Sequence, residues 1–494
     1  MFNKRLQELI LCLSTAESRY FKQYLTRYSS QNDQSKFARL FDAIRKSKKR
    51  LGFSIDGNLQ NRLYHYVLES LRAKNAQGGA RIQLFQYLID SEILLKKALF
   101  DQAWKRLVKA EHVALNYEEY YLLEDVFEKQ EYLLQVRVKR KQNDIELQNI
   151  NQKRNELALL RDYLFRISEF HKLSYEVFKR EGRISRNPTS IEPLIKEGES
   201  LFKNLSRFHN SYKAHQICHE LARCYMMAGK ANKAIRVISI LGELYESRNE
   251  LKSIHTRNYA RFLNLQVIIL NLLGEFERVK EVLETIRSLE GLATDDKELQ
   301  LLIFENANFQ ELEMYIHQGE FQRAVLQVQK VLPDLEPMIT KIHNVNVQSK
   351  YYRVALAYFG NRQYKEASRW INQNMQYDGI KYRIDIQASL EILNLLNHYE
   401  LGNYRLLSYL LPSTKKRLQN LNFWGRGEEL FFRLLAKLKD GRFYEVEPLV
   451  RDFSEQFQNL VLEDPKYGHY PMAYFNLKHW YQPKLRASRE LIYR

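Results

Sequence analysis

Apolar residues along most of this chain recur three and four positions apart, the spacing of one face of an α-helix. The clearest stretch is Glu311–Pro333, ELEMYIHQGEFQRAVLQVQKVLP. Leu312 and Tyr315 close one helix, Gly319 marks a tight turn, and Phe321, Ala324, Val328 and Val331 line one face of the next. The arrangement returns as Leu221, Ala222, Tyr225, Gly229, Ala231, Ala234, Ile238 and Leu241, and again as Leu270, Gly274, Phe276, Val279, Leu283 and Ile286. Val354, Ala355, Tyr358, Tyr364, Ala367 and Ile371 form a further copy with Arg362 where the glycine would stand. Leu395, Gly402, Tyr404, Leu407 and Leu411 follow, then Gly441, Phe443, Val446, Val450 and Phe453. From Ala231 onward the post-turn positions lie about 45, 45, 43, 40 and 39 residues apart, within the range of helical repeats. Each residue type has a mechanical reason. Glycine tolerates the positive φ of a sharp turn, the aromatic fills the corner between helices, and alanine lets two helices approach closely.

Small then aromatic in the first helix, followed by Gly-x-aromatic-x-x-Ala, resembles the tetratricopeptide repeat. The likeness is specific in 221–241 and 315–333 and fades before residue 95. It implies an all-α fold: a right-handed superhelical array of antiparallel helix pairs, an α-solenoid preceded by an N-terminal helical module. The spacing exceeds the usual 34 residues, so helices or linkers must be longer. The opening string LSTAESRYFKQYL, followed by KFARLFDAI, resembles the start of a family of bacterial helical-repeat proteins, a likeness that implies no activity.

The remaining chain divides around this series. Residues 1–79 read as a basic helical module in which Ser14 and Glu17 form a capping box. Residues 80–187 form a long-helix segment with degenerate repeats. No Gly or Pro occurs from Ala80 to Glu181, a glycine-free copy of the turn stands at Ala98, and breaks are expected at Asn116 and within Asn143–Asn155. Gly182–Pro193 reads as a loop and the best internal boundary. Residues 188–466 carry the regular repeats, and 467–494 a C-terminal capping segment with Trp480, Tyr481, Lys484 and Arg486.

Composition adds charge to this picture. Of 494 residues, 77 are Lys or Arg and 59 Asp or Glu, a net charge of +18 that favours acidic partners. The excess is uneven: residues 1–50 hold 12 cations against 4 anions, whereas 101–150 hold 8 against 10. Arg45, Lys46, Lys48, Lys49 and Arg50 make the densest basic patch, a candidate contact for RNA or the ribosome. The rival reading is a solvated, lysine-rich exterior. Three cysteines, Cys12, Cys218 and Cys224, make no disulfide framework and point to a reducing, cytoplasmic setting. The apolar run Leu9–Leu13 is too short for a secretory signal, and no run approaches the ~20 residues of a membrane span.

Candidate chemistry is sparse. His215, Cys218, His219 and Cys224 share one helix, but Cys218 follows the core face with Leu221, Ala222 and Tyr225, and no second ligand pair stands at a zinc spacing. No phosphate-cradling glycine loop and no nucleophile or metalloprotease motif occurs; Arg223 stands where HExxH needs its second histidine. No catalytic residue, metal or cofactor is therefore expected. What remains is surface. In such arrays the first helices of successive pairs line the concave side, where ligands lie. Polar residues off the core periodicity are the candidates for holding a protein or peptide partner: His255, Arg257, Asn258 and Arg261; Asn346, Gln348, Lys350 and Arg353; Asn394 and His398. They suit an acidic or extended ligand, against the plainer reading of a solvated helix face. The repeat register makes its own prediction: Ala324→Trp overpacks the helix crossing and lowers stability by about 1–3 kcal/mol or more. Thermal melting checks it, and an unchanged midpoint contradicts the register.

Overall fold

Helix propensity and sparse breakers carry through to the tertiary level. The computed structural model describes residues 4–28, 31–46, 56–76, 78–136, 141–186, 188–293, 296–338, 344–377, 383–440, 446–463 and 475–492. Those residues form 23 α-helices and two short 3-10 turns, with no strand among them. Beyond the first four helices, most helices pack chiefly on their neighbours in sequence. The helices fall into two compact units, 1–161 and 162–494, and the division lies within the helix Lys141–Glu181.

In the first unit, α1 (Lys4–Cys12), α2 (Thr15–Tyr28), α3 (Gln31–Lys46) and α4 (Gly57–Lys74) enclose Leu6, Ile10, Phe21, Phe37, Phe41, Ile44, Leu63 and Val67. The capping box is formed reciprocally. The Ser14 N–H donates to the Glu17 carboxylate at 2.7 Å, and the Glu17 N–H donates to Ser14 Oγ at 3.1 Å. Next come α5 (Ala80–Lys96), α6 (Phe100–Asn116) and α7 (Tyr120–Val136), with turns at Ala98 and Glu118. The break expected within Asn143–Asn155 is absent, because α8 runs unbroken over Lys141–Glu181. Asparagine and aspartate are weak helix formers, but Arg154 ties this stretch to Glu124 and Glu131 at 2.7 and 2.6 Å.

The second unit is a series of pairs. The rest of α8 precedes α9 (Pro188–Lys203); then come α10 (Gln216–Met227) with α11 (Ala231–Ser247), and the short α12 (Glu250–Ile254). The next pairs are α13 (Thr256–Leu273) with α14 (Phe276–Ser288), α15 (Lys297–Gln318) with α16 (Phe321–Met338), and α17 (Asn344–Gly360) with α18 (Tyr364–Met375). Last are α19 (Ile384–Glu400) with α20 (Tyr404–Asn420), α21 (Arg426–Asp440) with α22 (Val446–Glu463), and α23 (Lys478–Ile492). First helices also stack on one another: α13 on α15, α15 on α17, α17 on α19. The loop expected over Gly182–Pro193 is shorter than that. Pro188 opens α9, where its missing N–H has no intrahelical role, and Pro193 lies inside the helix.

One turn geometry joins the pairs. Gly229, Gly274, Gly319 and Gly402 all have φ between 71° and 76°, and Arg362 adopts the same region at 60°. In each case two hydrogen bonds close the helix end, as when Gly274 N–H reaches Asn271 O and Glu275 N–H reaches Leu270 O. Ala98, Glu118 and Asn422 repeat the bond pattern without glycine. The Gly441 turn falls outside the described residues. Five positions after these turns stand Ala234, Val279, Ala324, Ala367 and Leu407, all at 0 % exposure, where the second helix meets the first.

Two details differ from the simple repeat. Phe321 packs on the following pair, where a Cβ on Gly360 would lie 2.1 Å from the ring, whereas Tyr364 and Tyr404 pack on Phe359 and Tyr399 before their own turns. The C-terminal segment covers more than the last pair. Tyr481 meets Phe453 of α22, Trp480 Nε1 donates to Glu400 at 2.7 Å, and His479 Nε2 lies 3.2 Å from the carbonyl of His317.

The turn geometry separates two substitutions. Gly274→Ala adds a Cβ that meets nothing within 4 Å, so only the left-handed backbone is penalised, by about 1–2 kcal/mol. Ala98→Gly relieves the same strain and raises stability by about 0.5–1 kcal/mol. Denaturant midpoints read both, and effects of the same sign would refute the turn assignment.

Candidate functional site

Helical spacing brings the site together. On α8, His171, Tyr175 and Phe178 fall at i, i+4 and i+7, and on α10, His219, Arg223 and Met226 do the same. These faces, with parts of α13, α15 and α17 and with Arg183 and Arg383, line a cavity of about 430 Å³ inside the second unit. Its α13 wall holds Arg261 and Asn264, its α15 wall Glu305, Asn306, Phe309 and Gln310, and its α17 wall Ser349, Lys350 and Arg353. The lining is therefore built from first helices.

Four carboxylates organise the cations. Glu313 is fully buried; it accepts a short bond from Arg183 and pairs with Arg353 Nη2 at 2.8 Å. Burial pushes its carboxyl up, but the two guanidiniums and His317 outweigh this and hold it far below the usual carboxylate range. Glu220 is also buried. Arg223 contacts it closely, and His171 Nδ1 and His219 Nδ1 lie 2.9 and 3.1 Å from it. There too burial is overcome, first by Arg223 and then by the imidazoles, and the carboxyl is held well below its ordinary value. Lys350 pairs with Glu305 at 3.0 Å, and Arg383 with Asp385 at 2.7 and 2.5 Å. Arg383, Arg223 and Lys350 also lie over the rings of Phe178, Tyr175 and Phe309, which makes three of the walls cation–aromatic pairs.

The segment 182–186 threads through this interior. Gly182 has φ 87°, and a Cβ there would lie 2.1 Å from the Asp385 carboxyl carbon, so only glycine fits. Ser185 N–H donates to Met227 O at 2.8 Å, and Arg186 Nη2 donates to the buried Glu428 at 2.6 Å while stacking 3.4 Å from the Phe423 ring centre.

Of the residues marked in sequence, three meet at the cavity: Arg261, Lys350 and Arg353. Gln348 is buried on the same helix, its carbonyl accepting from Asn374 at 2.9 Å; the side chain of Asn346 lies outside the described residues. Arg257 pairs with Asp296 and Glu298 at 2.8 and 2.6 Å, and Asn258 Oδ1 accepts from Arg261 at 3.4 Å. His255 stacks on Tyr212 at 4.2 Å, and burial pushes its imidazole down to about 4. Asn394 is half-buried on α19, and His398 Nδ1 lies 3.1 Å from Asn403 Nδ2. In the basic patch, Arg45 donates to Leu13 O at 3.3 Å and bonds Ser18, Lys46 ends α3 exposed, and Lys48, Lys49 and Arg50 lie outside the described residues.

Sequence reasoning missed Arg183, Arg223, Arg383, His171 and His219 as one site. The signal for two of them was the i, i+4 spacing of His219 and Arg223; the other elements lie too far apart in sequence for any spacing to join them. Burial pushes the thiols of Cys218 and Cys224 up to about 12. Among the described residues no group of three or more His, Cys, Asp and Glu side chains is placed to hold a metal ion, and no helix is long and apolar enough to cross a membrane. No protein-family model matches the chain, and no curated protein matches its sequence.

Removing the buried carboxylate is the direct test of this network. Glu313→Gln leaves Arg183 and Arg353 without their shared anion, and the second unit loses about 3–5 kcal/mol at neutral pH. The native group's pKa is depressed, so its contribution is full above the unfolded value of 4.5 and is lost as pH falls from there toward the much lower folded value. Denaturation at stepped pH should show a steeper acid decline in the native chain than in the variant. Equal slopes and equal stability at pH 7 would remove Glu313 from its assigned place.

Proposed function

We propose that this chain is a non-enzymatic, cytoplasmic, tetratricopeptide-like adaptor, and that the face made by its first helices holds an acidic segment of a protein partner. In this reading the pairs wind into a right-handed superhelical array whose concave side is the first-helix face. The observation that carries it is the cavity itself: cations and aromatic rings line it together, and Arg261, exposed on its wall, bonds the neutral Asn258 and, among the described residues, no carboxylate. Cations held at low exposure attract an anion more strongly than solvated lysines do. At ~4 Å and an effective dielectric of ~20, one pair is worth about 4 kcal/mol, against about 1 in water. Aromatic walls add apolar contact for the stems of acidic side chains.

An RNA- or ribosome-associated role through basic terminal regions is the second reading, resting on the net charge of +18. It draws less support from the described residues. Arg45 bonds its own module, and Lys484 is engaged with Glu400 at 2.7 Å.

A crosslinking pull-down from native lysate, with and without ribonuclease, separates the two. Captured protein should survive ribonuclease, be displaced by a polyglutamate peptide, and fall at least about fivefold with Arg261→Glu, a change at an exposed position facing the cavity. Capture that vanishes with ribonuclease and ignores Arg261→Glu would favour RNA.

A further inference from the structure

We infer that this chain pairs with a second copy of itself through the outer face of α5, the two helices lying antiparallel about a twofold axis. The inference is independent of what the cavity holds.

The face itself is the first ground. α5 is apolar on two sides. Leu84 and Leu88 are buried with Ser91, whereas Ile82, Phe85, Ile89 and Ile93 are 41, 44, 58 and 49 % exposed. Their spacing of three, four and four makes one continuous stripe. At 1.5 Å per residue it runs for about 17 Å. Single exposed apolar side chains are ordinary on a protein surface, but a stripe of large ones marks a contact. Ile93 also lines a groove with Leu94, Trp104 and Val108, and Val108 is itself exposed, so the apolar surface extends onto α6.

Position in the series is the second. Stacked helix pairs bury their outer faces on the pairs beside them, and an uncovered end needs a cap. α5 opens the run that continues through α6 and α7, and it packs chiefly on α6. The four helices before it close on themselves: among the described residues, their core holds no α5 side chain. In the second unit α23 supplies such a cover for α22, with Tyr481 buried against Phe453.

Self-complementarity is the third ground, and it selects a second copy as the occupant. Reversing the helix direction sets Ile82 against the other copy's Ile93 and Phe85 against its Ile89, because both pairs are centred on Tyr87 and Leu88. Arg81 and Glu92 lie together on one flank of the stripe and share nearly the same centre, so each Arg81 meets the other copy's Glu92. A parallel pairing would instead set like charges against each other. Within the chain Arg81 stands 3.9 Å from Glu119, and Glu92 contacts Lys129, yet the Arg81 and Glu92 side chains keep 66 and 49 % exposure. An interface of this length fits a dimer that dissociates in the micromolar range. Pairing doubles each binding surface of the chain and raises avidity for a multivalent partner.

Sedimentation equilibrium on the full chain, from about 1 to about 100 μM, is the test. The mass should rise from 59.2 kDa toward twice that value, with a Kd on the order of 10 μM. Ile89→Asp, at the most exposed position of the stripe, should weaken pairing at least about tenfold with an unchanged thermal midpoint. Arg81→Glu and Glu92→Arg should each weaken it about fivefold, and the double swap should return it to within about twofold of the native chain. A chain that stays at 59.2 kDa throughout overturns the inference and leaves the face to another occupant. Dimerisation that ignores Ile89→Asp places the contact elsewhere and overturns it too. A double swap no better than either single change refutes the antiparallel register.

Discussion

A fully buried carboxylate holds two arginines from distant parts of the second unit, and much of the architecture there follows from it. Glu313 on α15 meets Arg183 of the segment after α8 and Arg353 of α17. Two buried guanidiniums without an anion would be strongly destabilising, whereas the satisfied cluster contributes little over an apolar substitute. Its consequence is therefore positional. With Arg183 committed to α15, the same short segment delivers Ser185 to the end of α10 and Arg186 to Glu428 of α21. A strand of chain that would otherwise be a surface linker becomes part of the interior.

Against that unique contact stands a feature that repeats. The left-handed residue closing these helices leaves two carbonyls bonded and sets the direction of the helix that follows. Glycine supplies it at four of these turns, while Arg362, Ala98, Glu118 and Asn422 adopt it at a conformational cost of about 1 kcal/mol or so each. The burial that follows offsets this. After Arg362, Ala367 and Ile371 are completely enclosed, and one buried isoleucine stabilises by about 1.5–3 kcal/mol. Where the second helix buries its stripe well, the turn does not depend on glycine.

Charge is distributed by the same logic of satisfaction. The cation density of the first 50 residues is conspicuous in sequence, yet Arg45 in that cluster is spent on Leu13 O and Ser18 inside its own module. The cations of the cavity come one or two from each of three helices, α10, α13 and α17, with Arg183 and Arg383 from the segments beside α8 and α19, each unremarkable where it stands. They matter because stacked first helices bring them to one space, where low solvent access strengthens their field.

The sequence by itself determined the class of fold, the turns and much of the core. Periodicity of 3.6 is a local property, and a turn residue followed by a buried small one is legible within twenty positions; Gly229, Gly274, Gly319, Arg362 and Gly402 were all found this way. The capping box at Ser14 and Glu17 was legible for the same reason. Local signals misjudged the middle of the chain. Asparagines suggested a break that ion pairs to Glu124 and Glu131 override, and prolines suggested a loop that a helix N-terminus absorbs. Only the tertiary structure decided the cavity. Arg261, Lys350 and Arg353 were within reach of pattern reading because they leave the core periodicity of their helices. Arg183 and Arg383 were not, since their partners stand on other elements and nothing in the spacing of a helix encodes which distant carboxylate will neutralise a given arginine.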